Sequence, residues 1–170
     1  QDIKRMLGGY QLRIIHIWLS RSFWGIFLYR FERSLYLIIG EKYKLFRFII
    51  IPFYNIVQAY SNIDISYRAE IKGGLTVLHP SIGCVISGQV KAGSNLTLTG
   101  GNVIGVKYRR GPELFSIGNN CRLGANATLI GPLSLGDNIN IGASACLTKD
   151  CLQNGATLVG VPAKIINEKT

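Results

Sequence analysis

Aliphatic residues recur at every sixth position through the C-terminal two-thirds of the chain. From Ile117 the series runs through Leu123, Leu129, Leu135, Ile141 and Leu147. Glycine follows four of them, at Gly118, Gly124, Gly136 and Gly142. Four residues after each aliphatic position stands a small or apolar residue: Cys121, Ala127, Leu133, Ile139, Ala145 and Cys151. The same ladder runs earlier through Ile65, Ile71 and Val77. After a three-residue slip it resumes at Ile86, Ala92, Leu98 and Ile104. A repeat of this kind outranks local propensity. Each six residues make one short strand and one turn, the flat side of a triangular coil. The aliphatic residue points inward and stacks on its counterpart one coil away, and three hexads complete a coil. Gly, Asn and Asp supply the sharp corners, where a positive φ costs them little. Stacked coils bury a continuous core and pair their backbone groups with one another.

The ladder breaks once more, between Ile104 and Ile117, an interval that is not a multiple of six. The extra residues must leave the coil as a loop, expected over 105–116. A polar, basic loop on a rigid scaffold is where ligand contacts are expected. Abundant Gly, 20 of 170 residues, with only 16% charged residues agrees with many tight turns. The net charge of +10 favours an anionic partner, but the basic residues concentrate before residue 50 and lack the aromatic interleaving of a nucleic-acid module. The four cysteines, Cys84, Cys121, Cys146 and Cys151, show no CxxC spacing. They are expected as small buried hydrophobes in a reduced compartment rather than as disulfides. Two histidines are too few for a zinc site, and no metal is expected.

The region 1–60 is greasy and basic. Leu12, Ile15, Leu19, Phe23, Ile26 and Arg30 follow helical spacing, and Trp18, Trp24, Phe27 and Phe31 make other faces apolar. Gly40 is expected to close that helix, a second to run from Glu41 to Ile51, and Pro52 to end or kink it before a third over Phe53–Tyr60. Such helices suit a cap on the β-helix, packing within an oligomer, or an in-plane membrane-surface anchor, and these are compatible. His16, in this region, is expected to be structural. The start shows no secretory leader and no apolar run spans a bilayer, so the chain is expected in the cytoplasm, with peripheral contact to the inner membrane left open. The β-helical domain is expected over 61–166, with 167–170 a tail.

These residues resemble the hexapeptide-repeat, left-handed parallel β-helix acyltransferases, and most closely the serine O-acetyltransferase branch. The stretches that carry the resemblance are IDISYRAEIKGGLTVLHP, GCVISGQVKAGSNLTL, SIGNNCRLGANATLIGPLSLGDNINIGASACLTKD and GATLVGVPAKII. They span about residues 63–166, and Gly160-Val-Pro-Ala-Lys164 is a specific close to such a ladder. The left hand is a property of the family and runs against the general rule for parallel crossovers. The resemblance implies acetyl-CoA as co-substrate and a homotrimer. It also implies that His79 is a general base and Asp64, fifteen residues earlier, the carboxylate that orients it. A neutral imidazole suits removal of a hydroxyl proton near neutral pH, and a carboxylate on its other nitrogen fixes the tautomer. Backbone N–H groups near Gly105 are expected to hold the thioester oxyanion. By position, Ala125 and Ala143 match small residues along the pantetheine arm, and Lys149 and Lys164 are candidate phosphate contacts.

The departures fall on the acceptor side. A second Asp that the family carries before the His is Leu78 here, and the family's serine-recognising Arg-His pair is replaced by Glu113-Leu114-Phe115. This pattern resembles acetyltransferases of capsular and exopolysaccharide assembly, the colanic acid type. It implies a sugar hydroxyl of a bacterial surface polysaccharide, or of its lipid-linked precursor, as acceptor. Tyr108, Arg109 and Arg110 are the candidate acceptor contacts, Arg for a phosphate or carboxylate and Tyr for a sugar face. A diverged serine O-acetyltransferase and a non-catalytic β-helix scaffold are the alternatives.

Overall fold

The computed structural model describes residues 1–7, 17–106 and 115–166. From Ile63 onward the chain winds as a three-sided parallel β-helix. The first side holds β1 (Ile63–Ile65), β4 (Cys84–Ile86), β7 (Asn102–Val106), β10 (Thr128–Gly131) and β13 (Cys146–Leu147), hydrogen-bonded in that order. The second holds β2 (Glu70–Ile71), β5 (Val90–Ala92), β8 (Phe115–Ile117) and β11 (Leu133–Leu135). The third holds β3 (Thr76–Val77), β6 (Thr97–Leu98), β9 (Arg122–Leu123), β12 (Asn140–Ile141), β14 (Thr157–Val159) and β15 (Lys164–Ile166). Among the described strands only β15 runs antiparallel, folding back on β14.

The register explains the period of six. Ile65, Ile86, Ile104, Leu129 and Leu147 stack on the first side. Ile71, Ala92, Ile117 and Leu135 stack on the second. Val77, Leu98, Leu123, Ile141 and Leu158 stack on the third. All of these are buried, as are the intervening small residues Cys121, Ala127, Ala145 and Cys151. The four cysteines are free, and Cys146 alone among them is only half-buried, because it points outward from β13. One corner is held by asparagines in the left-handed conformation. Asn95, Asn120 and Asn138 have φ of 64°, 56° and 58°. Asn95 Nδ2 donates to Asn120 Oδ1 at 2.9 Å, and Asn120 Nδ2 to Asn138 Oδ1 at 3.2 Å. The ladder thus satisfies side chains that the corner geometry already selects.

Both departures from the period have a structural counterpart. The three-residue slip is a 3₁₀ turn, Pro80–Ile82, inserted at the corner after His79. The second break is narrower than the expected 105–116. Gly105 and Val106 still pair with Ile130 and Gly131 in β10, and Phe115 and Ser116 already belong to β8. Phe115 is buried, so its side chain draws the returning chain into the coil.

The N-terminal region caps the open end of the first coil. Among the described residues its long helices are α2 (Arg21–Ile39) and α3 (Tyr43–Ser61), with a short α1 (Asp2–Leu7) ahead of them. Ser20 caps α2 by accepting from Phe23 N at 3.1 Å, and Gly40 ends it at a φ of 61°. An unpaired β edge would leave backbone groups orphaned. Here side chains meet them. Tyr29 Oη donates to Ala69 O at 2.9 Å and accepts from Ile71 N at 3.2 Å. Ser22 Oγ donates to Val77 O at 2.6 Å, and Arg30 Nη2 to Lys72 O at 2.8 Å. Asp2 Oδ1 accepts from Leu75 N at 2.8 Å while Asp2 also pairs with Arg30 at 2.9 Å. These contacts make the N-terminal region a cap on the β-helix.

Two expectations for this region need correction or fall outside it. Pro52 does not end a helix: the second and third segments are one helix, α3, with Pro52 inside it. Pro52 and Phe48 are both solvent-exposed, so the carbonyl that loses its helical partner faces water, while Tyr54 and Val57 pack the helix on the other side. Leu12, Ile15 and His16 lie outside the described residues. The outer surface of α2 and α3 is strongly apolar, with Leu45, Phe48, Ile49, Phe53 and Ile56 each at least 60% exposed. Among the described residues no helix is long and apolar enough to cross a membrane.

Burial of phenols makes the cap sensitive to alkali. Tyr29, Tyr43 and Tyr54 are all buried, and loss of solvation is the main force raising each phenol above its usual value. A folded value above the unfolded one means the stabilisation is intact below the unfolded value of about 10 and is lost as pH climbs past it. The thermal midpoint should hold to about pH 9 and fall steeply by about pH 11. A flat midpoint over that interval would show that these phenols are not sequestered.

Candidate active site

His79 stands at the corner between the third and first sides, directly after β3. Its backbone N–H donates to Thr99 O at 2.8 Å, and Pro80 behind it opens the 3₁₀ turn that Gly83 closes at a φ of 82°. The backbone is thus fixed by the coil below, while the side chain is exposed and makes no hydrogen bond with a described residue. The three inserted residues make this corner longer than those beneath it.

That column holds two more of the expected residues. Below His79 come Gly100, then Ala125, then Ala143, one per coil, linked by Asn126 N to Gly100 O and Ser144 N to Ala125 O, both at 2.8 Å. The approach is close: a Cβ on Gly124 would lie 2.6 Å from Ala143 N. Small residues here leave a flat, narrow strip of backbone. Lys164 pairs with Val159, just before the next corner at Gly160, so it marks the foot of the same column. Lys149 does not join it. It lies exposed beyond β13, across the first side.

Gly105 belongs to that first side. A groove of about 720 Å³ runs over its outer face, walled by Val103, Gly105, Val106, Ile130, Pro132 and Thr148. Val103 is 40% exposed there. Tyr108, Arg109 and Arg110 lie outside the described residues.

Asp64 is also on the first side, in β1, between the inward Ile63 and Ile65, so its carboxylate points outward. It lines a cleft of about 600 Å³ between Asn55, Gln58 and Ala59 of α3 and the Ser81–Val85 segment that follows His79. Asn62 Nδ2 donates to Ser81 O at 3.3 Å and ties the two walls together. Asp64 Oδ1 accepts from Tyr54 Oη at 3.1 Å. Asp64 and His79 thus border the same end of the solenoid, but no hydrogen bond joins them. Sequence reasoning missed Tyr54 altogether. It also missed the group behind it: Arg47 Nε meets Glu32 Oε1 at 2.8 Å, and Tyr43 Oη donates to that same oxygen at 2.7 Å. The available signal was Glu32 itself, a lone acid within the apolar α2.

A parallel β-helix of hexapeptide coils with a lone His at the head of a small-residue corner defines a hexapeptide-repeat acyltransferase. The family profile described as the hexapeptide repeat of succinyl-transferase matches residues 115–149. The serine acetyltransferase of Helicobacter pylori is 33% identical over 127 residues, covering 72% of this chain and 71% of that protein. The chain belongs to the serine acetyltransferase family. Two crystal structures of Neisseria gonorrhoeae serine acetyltransferase superpose over 98% of the chain. One gives a TM-score of 0.79 at 27% identity, and the other, in complex with serine, 0.78 at 26%. The chain spans 64% and 66% of the length of those two structures.

Proposed function

We propose that this chain transfers acetyl from acetyl-CoA to a hydroxyl, with His79 as general base and Asp64 as its orienting carboxylate. The observation that carries the reading is the corner column: the one described histidine heads a strip of small residues long enough to lay a thioester arm along. In the step, the acceptor O–H gives its proton to His79 as its oxygen bonds to the acetyl carbon. The C–S bond then breaks, and CoA leaves with the proton returned by the imidazolium. Lys164 is the candidate phosphate contact at the foot of the column, while Gly105, its backbone paired with β10, lines the groove on the first side. Asp64 Oδ2 accepts from no described residue and is the oxygen assigned to a His79 nitrogen in this reading.

The acceptor is read as serine or a close analogue, because the relatives are named serine acetyltransferases. A sugar hydroxyl of a surface polysaccharide is the second reading. It is favoured by Leu78, which is 44% exposed beside His79 where an amino-acid acceptor calls for a charged partner. CoA release should be measured with L-serine and with sugar acceptors, including lipid-linked ones. Release with L-serine alone supports the first reading, release with sugars alone the second, and failure to bind acetyl-CoA sinks both. The same preparation should run as a homotrimer. An apolar surface as large as that on α2 and α3 calls for cover; a monomer that sediments with anionic vesicles would instead assign the surface to the inner membrane.

A further inference from the structure

The cap does more than close the solenoid: we propose that Tyr54 is a positioning residue for the Asp64 carboxylate, locked in place by the Arg47–Glu32 pair. This rests on the reading of Asp64 as the carboxylate that orients His79.

Tyr54 is 7% exposed and reaches down from α3 to Asp64 Oδ1 at 3.1 Å. A carboxylate that holds one oxygen on a fixed donor loses most of its rotational freedom, and the other oxygen is then aimed. Burial foremost, and then the nearby Asp64 charge, hold the Tyr54 phenol above its usual value. It therefore remains a donor at neutral pH. Arg47 lies over the Tyr54 ring, its guanidinium carbon 4.5 Å from the centroid, and over Tyr67 at 5.5 Å. Its Nε is held by Glu32 at 2.8 Å, and Tyr43 anchors the same Glu32 oxygen. The ring is thus clamped from α2 and α3 together.

The energetics argue against a purely stabilising role. Glu32 is fully buried, and its Oε2 has no hydrogen-bond partner among the described residues. An incompletely satisfied buried ion pair is a poor source of stability compared with apolar packing. What this arrangement does supply is a rigid line from the helices to one carboxylate oxygen at the site.

The test is a double-mutant cycle on the full chain, read as kcat and as KM for acetyl-CoA. Asp64→Asn should lose most of the activity by itself. Tyr54→Phe, which keeps the ring under Arg47, should lower kcat about tenfold, the worth of one hydrogen bond to a charged group, with KM unchanged. In the Asp64→Asn background Tyr54→Phe should have no further effect, whereas damage to the fold would lower activity in both backgrounds. Full activity in Asp64→Asn would overturn the reading of the dyad. An inactive Asp64→Asn alongside a Tyr54→Phe enzyme with normal kcat would overturn the positioning role alone. Arg47→Met combined with Glu32→Gln, which removes both charges of the pair together, should resemble Tyr54→Phe.

Discussion

His79→Ala is expected to lower kcat by about 10²- to 10⁴-fold, the range for loss of a general base, and to leave the fold untouched. The two halves of this expectation come from different atoms. The imidazole is exposed and bonded to no described residue, so its removal empties no cavity and strands no buried partner. The backbone N–H that links the corner to Thr99 O is kept by alanine. The φ of −125° at this position suits alanine equally well. Stability should therefore stay within about 0.5 kcal/mol of the parent, the ordinary range for an exposed substitution. Binding of acetyl-CoA, measured calorimetrically, should survive, because the column of Ala125 and Ala143 below the corner is unaltered. A His79→Ala protein that still turns over at the parent rate would remove the base from its assigned position. One that unfolds would show that the exposed side chain supports the corner, against the geometry.

What the sequence disclosed follows from the range of the interactions involved. The stacked core was legible because its repeat is local: Leu98, Leu123 and Ile141 each declare themselves within six residues of the next hexad's member. The two breaks were equally legible. One is the turn that presents His79, and the other separates Val106 from Phe115. The limits of the second break were not, because Gly105 and Phe115 are kept in strands by partners a whole coil away, Ile130 and Leu133. Pro52 misled for a similar reason. Proline breaks a helix by local sterics, but which face it lies on is set by how Tyr54 and Val57 pack. Asp64 and His79 were singled out only by the family resemblance, whereas the Tyr54 and Arg47 contacts behind Asp64 depend on how α2 and α3 dock, which no periodicity records. The acceptor pocket was least legible, since Leu78 says which charge is missing and not what replaces it.

Leu123→Ala is expected to cost about 2–5 kcal/mol, the range for a buried leucine whose surroundings cannot close over the gap. Leu123 has no exposed surface and sits midway in the third-side stack, with Leu98 on one side and Ile141 on the other. Collapse is opposed by the backbone ladder that spaces the coils: Thr97 N to Cys121 O at 2.9 Å above, and Arg122 N to Ile139 O at 2.8 Å below. Neither coil can approach the other without breaking these bonds, so most of the cavity persists. Stability in such a solenoid is close to a sum of coil-to-coil interfaces, and a defect in the middle weakens two of them. Leu158→Ala, in the last coil, removes the same side chain with a coil on one side and only the antiparallel β15 on the other, and should cost less. Urea titrations of the two variants give the comparison directly through their midpoints at matched slope. Below the transition, kcat per folded molecule in Leu123→Ala should equal the parent value, the reverse of the His79→Ala result. If Leu123→Ala costs under about 1 kcal/mol, the aliphatic stack is not what holds the coils together, and the corner ladder of Asn95, Asn120 and Asn138 becomes the structure's principal support.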